Sequence, residues 1–230
     1  MVCDHRPLKS EPDRVRITVG GDRLDYKHDS GSPAASLLEA KLLLNSTISD
    51  ANKGARFFAV DLKDFFLATP MEEYEYMRIH SKYFFDDIRT EYDIDSKIAS
   101  DGFVYIRIQK GMYGLKQAAI LAYKQLVKNL ECHGYTPYPF TAGLWKHKTR
   151  QTKFCLVVDD FGVKYFTEED KQHFLTTLRT YYNISVDHKG SNYLGLLIEW
   201  NYAQGFVNIS MPGYIAKLCS CLNHPDPNKP

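Results

Sequence analysis

The run CLVVDDFGV, residues 155–163, sets two adjacent carboxylates, Asp159 and Asp160, between apolar and largely β-branched stretches. Neighbouring carboxylates in apolar surroundings repel each other and lose solvation, which raises their pKa values unless a cation compensates. Phe154–Val158 and Phe161–Phe166 read as strands, with Asp159-Asp160 at a tight turn between them. An ordinary surface turn accommodates such a pair, and so does a hard divalent cation, which favours carboxylate oxygen. A second carboxylate in a similar setting bears on that choice. Asp61 closes the apolar strand run RFFAVDL, Arg56–Leu62, whose continuous hydrophobicity predicts burial on both faces. A carboxylate at a strand end beside a hairpin-borne pair is how a two-metal phosphoryl-transfer site is assembled, two ions clamping the attacking and leaving oxygens.

The remaining pattern alternates between strand and helix periods. Val15–Val19 predicts a strand closed by Gly20-Gly21, and Ser32-Pro33 reads as the cap and first turn of a helix through LLEAKLLLNS. Tyr76–Ile79 and Phe103–Ile108 are strand candidates around a helix-compatible KYFFDDIRTEY. Residues 116–132 carry an apolar helical face that ends at Gly134, and Glu168–Thr180 has an acidic first turn. Tyr193–Trp200 and Phe206–Ser210 read as a further hairpin, and Pro212 opens a last short helix. This order predicts an α+β architecture, an antiparallel sheet with helices on one face.

Charge is distributed unevenly over the 230 residues, whose formal net is only +1. Residues 61–100 hold five basic and ten acidic side chains, −5, while residues 101–155 hold nine and two, +7. Residues 1–60 are at +1 and residues 156–230 at −2. A near-neutral total thus conceals the separation expected of a chain that holds cations beside a polyanion. With 44% apolar and 13% aromatic residues the chain is neither disordered nor collagen-like. It has no apolar run of about 18 residues that would span a bilayer, and MVCDHRPLKSEPDR lacks a signal peptide's apolar stretch. The five scattered cysteines form no C-x-x-C pair, which favours a reducing compartment over a disulfide framework. Cys219, Cys221 and His224 are spaced tightly for zinc and have no fourth ligand nearby, so buried or idle thiols are the preferred reading.

Three motifs in one order carry a resemblance. AVDLKDFFLATPM, GMYGLKQAAILAY and LVVDDFGVKY resemble, in sequence, the three successive motifs of the reverse transcriptase domain of copia-type LTR retrotransposons, over roughly residues 14–215. The resemblance implies a polymerase palm with partial fingers and most of the thumb missing. Partial fingers would occupy residues 1–55 and the palm 56–211, with a fingers segment inserted at about 76–112; the thumb would start in 212–230. It also implies residue roles. Asp61, Asp159 and Asp160 would be the catalytic and metal-binding carboxylates for two Mg2+ ions, with Mn2+ as the alternative. Arg16, Phe66, Tyr113 and Gly114 would bind the nucleotide, Phe66 as the gate against a ribose 2′-OH and Arg16 as the triphosphate grip. Lys116, Gln117, Tyr193, Leu194 and Gly195 would meet template or primer, and Lys189 would donate a proton to the leaving pyrophosphate.

The sequence departs from the family pattern at Val157, where an aromatic is usual, at Phe65, where a small residue is usual, and at Ala119, which replaces a proline. All three carboxylates are retained. The function implied is RNA-directed DNA polymerisation. The partners would be an RNA or DNA template with primer, deoxynucleoside triphosphates, and integrase and RNase H domains of a longer polyprotein; no membrane is involved. The location implied is intracellular, a cytoplasmic virus-like particle for an active element, with the nucleus as the other compartment. The short chain looks like a polyprotein fragment, and an inactive remnant that retains only nucleic-acid binding is the alternative.

Overall fold

The computed structural model describes residues 2–5, 13–28, 30–141 and 143–224. In chain order the strands are β1 (Val2–His5), β2 (Asp13–Arg16), β3 (Arg56–Leu62), β4 (Pro70–His80), β5 (Phe103–Lys110), β6 (Tyr135–Pro137), β7 (Leu144–His147), β8 (Lys153–Val157), β9 (Asp160–Tyr165), β10 (Ile184–Asp187), β11 (Asn192–Tyr193), β12 (Leu196–Asn201) and β13 (Phe206–Ser210). The α-helices are α1 (Leu37–Ser49), α2 (Asp86–Glu91), α3 (Ala118–Glu131), α4 (Glu168–Arg179) and α5 (Tyr214–Cys221). Two compact units share them, residues 1–32 with 64–125 and residues 33–63 with 126–230, a division that falls inside α3. Residues 33–55, grouped by sequence with the first segment, therefore belong to the second unit. The basic stretch 101–155 is likewise divided between the two units. Residues 225–230 of the expected thumb segment lie outside the described residues.

The first unit has two antiparallel pairs. β1 runs against β2, and β4 pairs with β5 in a ribbon whose register is irregular between Pro70 and Glu75. The strand expected over Val15–Val19 is shifted: it ends at Arg16, and the Val19 N–H donates to the Tyr113 carbonyl at 2.9 Å. Met71, Ile108, Leu115, Ala118 and Leu121 form the core, with Val19, Phe66, Met77 and Met112 packed against it.

The second unit is built on a six-stranded antiparallel sheet in the order β10-β3-β9-β8-β7-β6. Successive strand residues point to opposite faces. Phe57 and Ala59 of β3 therefore face α1, joining Ala40, Leu43, Leu44 and Cys155 in one cluster. The neighbouring Phe58 faces the other way, its ring 6.0 Å from that of Phe174 on α4. Helices cover both faces of the sheet, which corrects the expectation of helices on one face. The physical reason is the apolar run of β3, buried at Phe57, Phe58, Ala59 and Val60.

Helix α1 starts later than Ser32-Pro33 suggested. Its cap is Ser36, whose hydroxyl accepts from the Glu39 N–H at 3.4 Å while the Glu39 carboxylate accepts from the Ser36 N–H. This reciprocal box satisfies two otherwise orphan amide donors. Helix α4 is capped by the Thr167 hydroxyl, which accepts from the Asp170 N–H at 3.1 Å. Lys164 on β9 is 1% exposed and donates to the Ser46 carbonyl at 2.8 Å, the Ser46 hydroxyl at 2.7 Å and the Asp50 carboxylate at 2.6 Å. Those ammonium donors, with Lys53, hold the Asp50 carboxyl down at about 2. A buried charge needs this degree of satisfaction to be tolerated. Among the described residues no helix is long and apolar enough to cross a membrane.

Candidate active site

Two strands bring the predicted carboxylates together. β3 and β9 pair antiparallel with Asp61 directly opposite Asp160, and Ala59 opposite Gly162. Directly opposed residues share a sheet face, with Cβ atoms about 4.5–5.5 Å apart. Asp61 and Asp160 therefore face the same side, Asp61 exposed and Asp160 half-buried. Like charges so placed are mutually unfavourable, which is the electrostatic situation a divalent cation reverses.

The turn differs from the one expected. β8 ends at Val157 and Asp160 already pairs with it, so the two-residue connection is Val158-Asp159. Val158 has φ +59°, and Asp159 is not among the positive-φ residues. That is the pattern of a type II′ turn, whose first central position favours glycine. A β-branched residue there is strained. With the turn at Val158-Asp159, Asp160 sits in the sheet opposite Asp61 and Asp159 at the tip. The Asp159 carbonyl is tied down by the Leu62 N–H at 3.0 Å.

Asp61 and Asp160 thus fit one hard cation by donor chemistry and register. No group of three or more His, Cys, Asp or Glu side chains among the described residues is arranged to hold a metal ion. That statement also covers Cys219, Cys221 and His224, where the His224 N–H donates to the Cys219 carbonyl at 2.8 Å as the chain leaves α5.

The other predicted residues of the second unit surround β9 differently from expectation. Tyr193 is 3% exposed and its hydroxyl donates to the Cys155 carbonyl at 3.1 Å. Its side chain lies in the core. Room for the ring is made by Gly162, where a Cβ would lie 2.8 Å from Tyr193 Cε1. Burial, with Cys155 and the Asp160 charge beside it, raises the Tyr193 pKa. Burial, with Glu39, raises the Cys155 thiol to about 12, leaving it unreactive.

Leu194 and Gly195 form the two-residue connection between β11 and β12, with φ +53° and +76°. A Cβ at Gly195 would meet nothing within 4 Å, so this tip is open. Lys189 is exposed on the turn organised by Asp187, whose carboxylate accepts from the N–H groups of Lys189, Ser191 and Asn192 at 3.0, 2.6 and 2.9 Å. Asp187 lies opposite Ala59, and the next turn packs Gly190 against Phe57. Lys189 is therefore level with the Phe57 end of β3, about 13 Å along the strand from Asp61.

In the first unit, Arg16 lays its guanidinium 4.9 Å from the Tyr113 ring centre, and its buried Nε has no hydrogen-bond partner among the described residues. Phe66 meets the same ring edge-on at 5.4 Å. Arg16, Phe66 and Tyr113 are thus brought together. Phe65, where the family pattern has a small residue, turns inward and is 3% exposed.

Gly114, with φ +95°, is required by the chain itself: a Cβ there would lie 2.0 Å from the Val19 carbonyl oxygen. Gln117 is 3% exposed and its amide donates to Glu75 at 2.8 Å. Lys116 is exposed and donates to the Leu24 carbonyl at 2.8 Å. Sequence reasoning missed Gly162 and Asp187. The first leaves no local signal, while DHKGSN offered an Asp ahead of a turn glycine.

No family model matches the sequence, and no curated protein matches it. Among solved structures, a telomerase from Candida albicans in complex with a TWJ fragment of telomeric RNA is similar at 11% identity, over 76% of this chain and 34% of that one, with a TM-score of 0.38. Apo telomerase from Candida tropicalis, truncated from the C-terminal domain, is similar at 13% identity, over 78% of this chain and 41% of that one, with a TM-score of 0.41. The chain thus spans well under half the length of either structure.

Proposed function

We propose that this chain is a reverse transcriptase domain of the copia type, adding deoxynucleotides to a primer 3′-OH on an RNA or DNA template. The observation that carries the reading is the opposition of Asp61 and Asp160 across β3 and β9, with Asp159 carried on the strained turn beside them. These are the three carboxylates of the motifs that resemble that family. Mg2+ bound there would supply charge neutralisation of the primer hydroxyl and the leaving pyrophosphate. Arg16, its guanidinium laid against the Tyr113 ring, would pair a phosphate oxygen. Phe66 would limit the space beside the sugar. In such an element, integrase and RNase H domains are the partners.

A second reading, a folded remnant that binds nucleic acid without polymerising, is favoured by the absence of a converged three-carboxylate group among the described residues. Primer extension by the full chain with Mg2+ and an RNA template separates the two. The proposal expects extension that Asp159→Ala abolishes. Nucleic-acid binding without extension in the wild type, or equal extension by the variant, would overturn it.

A further inference from the structure

The two-stranded ribbon β4–β5 has faces of opposite character. Inward, Val104 and Ile108 are 3% and 6% exposed, and Met77 packs on the same core. Outward, the register pairs Tyr76 with Arg107 and Arg78 with Tyr105, so rings and guanidinium groups alternate along and across the ribbon. The Arg107 guanidinium lies 4.8 Å from the Tyr74 ring centre, and that of Arg78 lies 3.7 Å from Phe103. Tyr74, Tyr76 and Tyr105 are nevertheless 50%, 67% and 60% exposed. Outward positions from Tyr76 to His80 and from Phe103 to Gln109 include no acid, but Arg78 is paired with the Asp101 carboxylate ahead of β5 at 2.8 Å, so the cationic contribution of this face rests chiefly on Arg107.

From this placement we infer that the outward face of the β4–β5 ribbon binds single-stranded nucleic acid. Aromatic faces accept unpaired bases without regard to sequence, and guanidinium groups between them neutralise the backbone. A duplex offers no free base faces to such rings. Side chains two apart on one strand stand about 6.8 Å from each other, so successive rings present separate stacking platforms. The inference deepens the polymerase reading, on which it rests for the presence of a nucleic acid, but needs neither the carboxylates nor catalysis.

Fluorescence anisotropy of a single-stranded oligonucleotide of about 12 nucleotides, beside the matching blunt duplex, tests it with the full chain. Tyr76→Ser with Tyr105→Ser removes two exposed rings. Tyr83→Ser with Tyr92→Ser removes two equally exposed rings elsewhere in the same unit and is the control. The face variant should bind the single strand at least about tenfold more weakly, with duplex binding unchanged. Arg107→Gln should lower the salt slope by about 0.7. Single-strand binding that is equal in the face variant and the control, or no single-strand binding by the wild type, overturns the inference. Tyrosine-dependent binding without primer extension would sink the polymerase reading and leave this face standing; extension with tyrosine-independent binding would do the reverse.

Discussion

Gly162→Ala should destabilise the sheet that carries Asp160. Gly162 has an ordinary backbone conformation, so the substitution meets no φ penalty, and a stiffer unfolded chain alone would favour alanine by about 0.4–1 kcal/mol. Its Cβ would, however, lie 2.8 Å from Tyr193 Cε1 and Cζ and 2.9 Å from Phe57 Cζ. Neither ring is a loose end. They are 3% and 2% exposed, and the Tyr193 hydroxyl is held by the Cys155 carbonyl at 3.1 Å. Overpacking of this kind costs about 1–3 kcal/mol. The net expectation is a loss of about 1–2 kcal/mol, or about 2–8 °C in Tm for a chain of this size. Trp200, 5.2 Å from Phe57, reports on the same packing by fluorescence during urea or thermal unfolding. Tyr193→Leu opens space at the same contact, so the double variant should recover about 1 kcal/mol relative to the sum of the two singles. Wild-type stability for Gly162→Ala, or strict additivity in the cycle, would refute the wedge.

His147 and His173, 5.2 Å apart, both have pKa values pushed below their ordinary 6.5 by burial first. Their unfolded forms bind protons first as pH falls, so stability is full above about pH 6.5 and declines as pH drops through the lower folded values. Denaturant midpoints at pH 7.5 and 5.5 measure the decline, and His173→Gln should shrink it. Gly114→Ala combines φ +95° with a 2.0 Å approach to the Val19 oxygen and should weaken the first unit by about 2–4 kcal/mol. Hydrogen exchange should accelerate in β4 and β5 while β8 and β9 keep their protection.

Where local chemistry decides, the sequence was a good guide. RFFAVDL occupies β3 from Arg56 to Leu62, and the burial of its Phe57–Val60 run on both faces follows from its continuous hydrophobicity. That same run already argued for cover on both faces, and helices on one side were inconsistent with it. Ser36 and Glu39 carry the S-x-x-E signature in plain view, outranking the Ser32-Pro33 pair as a helix start. The turn was misplaced by one residue because carboxylates suit turns and valine does not. Only pairing with β3 makes the strained Val158 position worth occupying. Tyr193, Gln117 and Gly114 also meet distant parts of the chain, Cys155, Glu75 and Val19, which are 38, 42 and about 95 residues away and beyond the reach of motif reading.

The proposed function requires Asp61 and Asp160 to hold a divalent cation. Isothermal titration of the full chain with Mg2+ tests it most directly, beside Asp61→Asn and Asp160→Asn. Saturable binding by the wild type, lost in both variants while their far-ultraviolet circular dichroism is unchanged, is the predicted result. No binding by the wild type, or binding that survives both substitutions, would contradict it.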